Sequence, residues 1–198
     1  MSLILFGTSR SRAFRALWML EETGLPYEHR PVAVDACATD AELLSVNPGA
    51  TIPCLLDDDF ALSESLAINL WLACKASALE PLDARGEALA AQWSFWAASL
   101  EPAYVRWASH SFWLPEYRRD PVQATAALAE LRRSLGRLDA ALARQPWLLG
   151  SSFCVADLNV AGVFPLLRHA ELGEFPHAAR WLAACCARDA YARAGALA

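Results

Sequence analysis

The sequence predicts an α/β unit followed by an all-helical one, on three observations. Short apolar runs alternate with helical spacing over the first part of the chain. That pattern lapses into KASALEPLDARG, and beyond it apolar residues repeat by threes and fours with no strand signal. The chain accordingly divides into residues 1–76, a connector at 77–86 and a helical part at 87–198.

The opening run LILF has the character of a buried strand and is broken by Gly7, Thr8 and Ser9. From Ser11 the spacing predicts a helix. Ala13, Phe14, Leu17, Trp18 and Leu20 are its apolar residues, Arg12, Arg15 and Glu22 mark a wetter side, and Gly24 supplies the stop. A second strand is expected around Tyr27 to Val34, and Ala41 to Val46 reads as a short helical piece. A strand–helix–strand unit, then a hairpin and a closing helix, makes a compact α/β sandwich.

The most informative stretch runs from Asn47 to Trp71. Asn47, Pro48 and Gly49 make a loop, and Ile52-Pro53 presents backbone just before the apolar run Cys54, Leu55, Leu56. Asp57, Asp58 and Asp59 turn the chain, Phe60 to Leu62 return it, and Ser63, Glu64 and Ser65 stand where a helix begins. A helix N-terminus offers unpaired N–H groups and a partial positive charge, which suits it to hold a carboxylate. Ser63 and Ser65 are equally the residues that cap a helix.

In the helical part, Leu89, Trp93, Trp96, Leu100, Tyr104 and Trp107 form one long stripe, with Pro102 expected to kink the helix. Phe112 to Pro115 reads as an aromatic loop. Leu128, Leu131, Leu135, Leu138 and Leu142 predict a second helix antiparallel to the first. Val155, Leu158, Gly162 and Leu166 trace a third, and Phe175-Pro176 opens a fourth.

Composition narrows the function. An apolar fraction of 56% and eight tryptophans exclude a disordered chain, and a net charge of −5 argues against a nucleic-acid binder. No apolar run approaches the roughly 18 residues of a membrane span, and the first residues lack a signal-peptide pattern, so the expectation is a cytoplasmic protein. Six cysteines and four histidines show no metal-ligand spacing, so no metal is expected; Cys185 and Cys186 read as packing residues.

The order LILFG, EETGLPYE, NPGATIPCLLDDDFALSESLAI and GSSFCVADLNVAG resembles, over essentially the whole chain, the cytosolic glutathione S-transferases. The resemblance implies a thioredoxin-like first domain that holds glutathione, an all-helical second domain and a homodimer. It implies that Pro53 is a cis-proline, that the Ile52 backbone pairs with the cysteinyl part of the tripeptide, and that Glu64 and Ser65 take its γ-glutamyl end. Near Asp157 it implies a capping box, in which Cys154 stands where relatives carry Ser or Thr.

The implied chemistry keeps the glutathione thiol ionised, against a free-thiol pKa of about 8.5. A hydroxyl at the start of the first helix can do this, and Thr8, Ser9 and Ser11 are the candidates. Capping is an equal reading for Ser9 and Ser11. No tyrosine or cysteine occupies the loop, which points to a serine-type site, and Arg10, Arg12 and Arg15 are available to offset the tripeptide's charge. Thr51 replaces a basic or amide residue of many relatives, which removes one contact to the glycyl carboxylate. Tyr104, Trp107, Phe112 and Trp113 are the candidate wall for an apolar electrophile. The expected activity is conjugation of glutathione to such an electrophile. Glutathione-dependent peroxide reduction or isomerisation, or a non-catalytic binding or stress protein, are the alternatives.

Overall fold

The computed structural model describes residues 2–81 and 83–197. Its chain divides into two units, Met1–Leu82 with Ala187–Ala198, and Asp83–Cys186.

In the first unit, β1 (Leu3–Phe6), β2 (Glu28–Arg30), β3 (Cys54–Asp57) and β4 (Phe60–Ser63) form one sheet in the order β2-β1-β3-β4. β1 runs parallel to β2, with Leu5 opposite His29, and antiparallel to β3, with Leu5 opposite Leu55. A parallel pair needs a crossover, and α1 (Ala13–Thr23) provides it. Gly24 ends α1 in the left-handed region at φ 65°, its N–H donating to Leu20 O at 3.0 Å. β2 is shorter than the run of extended sequence suggested; the chain leaves the sheet at Arg30 for a series of turns.

Alternation along the strands loads both faces of the sheet. Phe6 and Cys54 cluster with Val32, Cys37 and with Leu43 of α2 (Ala41–Val46) on one face. Leu3, Leu5 and Leu55 are buried as well, and α3 (Ser65–Ala76) packs against α1. Asp57, at the end of β3, anchors the far half of α3: its Oδ2 accepts from Trp71 Nε1 at 3.0 Å and pairs with Lys75 Nζ at 2.9 Å.

This unit also takes in a helix from the other end of the sequence, which periodicity had not signalled. Tyr191 of α8 (Asp189–Ala196) meets both Phe14 and Trp18 edge-on at 5.0 Å between ring centroids. Arg188 Nη2 donates to Glu22 Oε2 at 2.7 Å, and Arg193 Nε to Glu21 Oε2 at 2.7 Å.

The second unit contains α4 (Ala84–Ala108), α5 (Pro121–Leu142), α6 (Val155–Val163) and α7 (Pro176–Cys186). α4 runs through Pro102 and passes into a π turn over Ser109–Trp113, where an irregular loop was expected. Its buried face is Ala90, Trp93, Ala97, Tyr104 and Trp107, and Leu89 is exposed. Alanines bring α4 close to its neighbours, which shifts the stripe away from the larger leucine. Leu131, Leu135, Leu138 and Leu142 of α5 are buried as their spacing predicts. A tertiary cap starts α7: Asp139 Oδ1 accepts from His177 N at 2.8 Å and Ala178 N at 2.9 Å. Among the described residues no helix is long and apolar enough to cross a membrane.

The polar centre of this unit is Asp157, 0% exposed in the first turn of a helix whose every residue is buried. Its carboxylate accepts from Leu148 N at 2.8 Å, Cys154 N at 3.1 Å and Trp181 Nε1 at 2.7 Å. Cys154 takes part as a donor, its Sγ lying 3.3 Å from Asp157 Oδ2. Burial, reinforced by the Asp157 charge, pushes this thiol up to about 12, so it keeps its proton at neutral pH.

Asp157→Ala strands three buried N–H groups and lowers the unfolding free energy by about 3 kcal/mol or more, read as a reduced urea midpoint. Cys154→Ser keeps the donor and changes stability by less than about 1.5 kcal/mol.

Candidate functional site

β1 ends at a glycine whose geometry no other residue tolerates. Gly7 adopts φ 128°, and a Cβ there would lie 2.6 Å from Ala13 Cβ and 3.2 Å from Ile52 Cβ. The loop after it therefore lies against both the start of α1 and the Ile52-Pro53 edge. Ser11 Oγ donates to Thr8 O at 2.8 Å and accepts from Ala13 N at 3.1 Å, which starts α1. Ser9 Oγ donates to Leu197 O.

Asn47 organises the opposite edge. Its Nδ2 donates to Thr51 O at 2.9 Å and to Thr51 Oγ1 at 3.1 Å, and its Oδ1 accepts from Gly49 N at 3.2 Å. This side chain thus closes the turn that delivers Ile52, and engages the Thr51 hydroxyl. Thr51 is exposed, Ile52 half-buried and Pro53 buried, with the Ile52–Pro53 peptide bond cis.

Glu64 precedes α3 at φ 71°, ψ 105°, a conformation that side chains rarely adopt. It is exposed, whereas Ser65, the first residue of the helix, is buried. Behind Ser65 lies Arg15, only 6% exposed, whose Nη1 donates to Ser65 Oγ at 3.2 Å. A guanidinium from α1 and the N-terminus of α3 thereby place two positive influences at one point. The sequence offered Arg10, Arg12 and Arg15 without distinction; the first two are exposed and Arg15 alone is buried. The spacing had assigned Arg15 with Arg12 to the wetter side of α1; packing instead buries it among Ala13, Ala16 and Leu17. The buried Asn69, one turn into α3, is a further polar residue of this region that carried no assignment.

The four aromatic candidates fall into two pairs. Tyr104 and Trp107 are 3% and 4% exposed, whereas Phe112 and Trp113 are 42% and 54% exposed. Trp113 lies edge-on to Tyr104 at 6.1 Å, and Phe112 edge-on to Trp107 at 5.4 Å. Tyr104 OH accepts from Leu166 N at 3.1 Å, so its polar end is part of the helical core. Among the described residues no group of three or more His, Cys, Asp or Glu is arranged to hold a metal ion.

Comparison with known proteins gives a consistent result. Residues 1–74 match the family described as glutathione S-transferase, N-terminal domain, and residues 100–189 match glutathione S-transferase, C-terminal domain. The glutathione S-transferase-like protein gedE of Aspergillus terreus is 30% identical, the match covering 88% of this chain and 86% of that protein. Elongation factor 1-gamma of Prunus avium is 29% identical over 91% of this chain but only 45% of its own length. Among solved structures, the theta class glutathione S-transferase of Xanthomonas axonopodis pv. citri with glutathione bound is similar at a TM-score of 0.86 and 30% identity, covering 99% of this chain and 98% of that one.

The strained backbone at Glu64 generates a stability test. Glu64→Gly relieves a conformation costing of order 1–3 kcal/mol and raises the unfolding free energy by about 1 kcal/mol, measured by urea denaturation.

Proposed function

The chain belongs to the glutathione S-transferase family, and from that premise we propose that it binds glutathione and transfers it, as the thiolate, to an apolar electrophile. The observation that carries this reading is the buried Arg15–Ser65 pair at the N-terminus of α3, where a guanidinium and a helix end together favour an anion. Ser65 takes the γ-glutamyl carboxylate through its hydroxyl and N–H, and Glu64, exposed beside it, meets the ammonium. The Ile52 backbone, held by the Asn47 turn, pairs with the cysteinyl residue as a strand would. The Thr51 hydroxyl already accepts from Asn47, which fits a weak hold on the glycyl end.

Catalysis is of the serine type in the broad sense: a hydroxyl of the Thr8–Ser11 loop donates to the sulfur. The thiol proton leaves to water, the sulfur lone pair forms a bond to the electrophilic carbon, and the leaving group departs with the electrons of its own bond. Phe112 and Trp113, backed by Tyr104 and Trp107, supply the apolar wall for the electrophile. Residence in the cytoplasm and assembly as a homodimer belong to the same proposal.

The similarity to elongation factor 1-gamma, a protein not named for transfer of glutathione, favours one second reading, in which the fold binds without turnover. Retention on immobilised glutathione followed by turnover of a chlorinated nitroaromatic supports transfer. Retention with peroxide reduction alone moves the chemistry, and retention without any turnover leaves the binding reading. No retention sinks both enzymatic readings. Ser65→Ala weakens glutathione binding by roughly 1–3 kcal/mol, read by calorimetry.

A further inference from the structure

The aromatic turn that ends α4 is tied down from beyond its own end. A helical turn leaves its last carbonyls without partners, and a basic side chain nearby can meet them. Leu114 N donates to Ser109 O at 3.0 Å and closes the π turn over Ser109–Trp113. The chain then makes a 3-10 turn over Glu116–Arg118 and delivers Arg119, whose guanidinium reaches back. Its Nε donates to Leu114 O at 2.7 Å and its Nη2 to Phe112 O at 2.8 Å. The next residue adds a second tie, with Asp120 N donating to His110 Nδ1 at 3.1 Å while Asp120 Oδ1 accepts from Val122 N at 2.9 Å to start α5.

The acceptors that Arg119 meets distinguish it from other arginines of the same unit. Arg106 and Arg132 pair with Glu130 and Glu174. Both hydrogen bonds of Arg119 end instead on main-chain carbonyls of the turn, and among the described residues it pairs with no carboxylate. A planar guanidinium presents its N–H groups as a fixed fork, so two bonds from one group set the peptide planes before Trp113 and after Leu114 relative to each other. This backbone carries the two rings that stand partly in water, Phe112 edge-on to the buried Trp107 and Trp113 edge-on to the buried Tyr104. Each ring meets its buried neighbour along an edge, so its direction depends on the backbone beneath it.

We infer that Arg119 is a positioning residue for the apolar wall: by holding the carbonyls of Phe112 and Leu114 it fixes both half-exposed rings for the apolar group of an electrophile. The inference rests on the wall proposed above, and Arg119 acts through the turn. The physical effect is preorganisation. Rings already held in place lose little freedom when an apolar group packs on them, whereas rings on a loose turn must be ordered at each binding event.

Two measurements on the full chain test it. Backbone amide hydrogen exchange over residues 109–114 reports the turn, and calorimetry compares glutathione with S-benzylglutathione, whose benzyl group stands for the apolar part of an electrophile. In Arg119→Ala the amides of Trp113 and Leu114 exchange faster than in the wild type, glutathione affinity is unchanged, and the affinity gained from the benzyl group falls about tenfold. Arg119→Lys, with a compact ammonium in place of the fork, recovers only part of that gain. Trp113→Ala lowers the gain by itself, and Arg119→Ala adds little on top of it, because the guanidinium works through that ring. The inference is overturned if Arg119→Ala keeps wild-type exchange or the full benzyl gain, if Arg119→Lys restores the gain completely, or if the Arg119 and Trp113 substitutions lower it additively. A wild-type chain that fails to bind glutathione overturns the proposed function and this inference with it. One that binds glutathione but gains nothing from the benzyl group overturns the wall and the role of Arg119, so the affinity for glutathione itself separates the two failures.

Discussion

The buried Arg15 guanidinium beneath the N-terminus of α3 is the interaction on which the first unit is organised. A charged group withdrawn from water is tolerated only where acceptors meet it, and Ser65 Oγ at 3.2 Å is one of them. To reach Ser65, α1 must lie close along α3, and the Gly7 turn must admit α1 to the sheet without a Cβ in the way. The Ile52 edge and the α3 terminus then flank one region of the sheet. Its electrostatic character follows from the guanidinium and the helix end together, both favouring an anion.

The two units solve their polar problems differently. In the first, charge is gathered at a helix N-terminus and at the α1–α8 seam, where Glu21 and Glu22 receive Arg193 and Arg188. In the second, buried or part-buried carboxylates join elements, Asp139 of α5 capping α7 and Asp157 at the centre. Asp157 holds the Leu148 turn, the start of α6 and the Trp181 indole of α7, so the turn before α6, α6 itself and α7 share one acceptor. Cys154 fits this arrangement because the neighbouring carboxylate and burial keep its thiol protonated, and a protonated thiol donates. The thiol fills both roles of the capping residue, meeting the backbone N–H of Asp157 and donating to that carboxylate.

Much of the fold was legible because its elements are locally consistent. LILF, the Gly24 stop, the Asp-rich hairpin turn and the leucine spacing of α5 each identify their own element. Errors occurred where a neighbour overrides the local pattern. Leu89 is exposed because alanines let other helices approach α4 on a different face, and the aromatic stretch after α4 is wound into a π turn. The candidate region from Asn47 to Ser65 is continuous in sequence and could be named from it. Which arginine is buried beside it could not, since three arginines share the start of α1 and only packing selects one.

By itself, then, the sequence determined the order of elements through α7, the succession of an α/β part and a mostly helical part, and the family, because these follow from spacing and from short motifs in sequence order. Only the tertiary structure decided which arginine is buried against Ser65, that α8 returns to close over α1, and how the hydroxyls of the β1–α1 turn are engaged. The Arg15–Ser65, Trp18–Tyr191 and Ser9–Leu197 contacts depend on partners far away in the chain, and a periodic pattern carries no record of which distant group a side chain will meet.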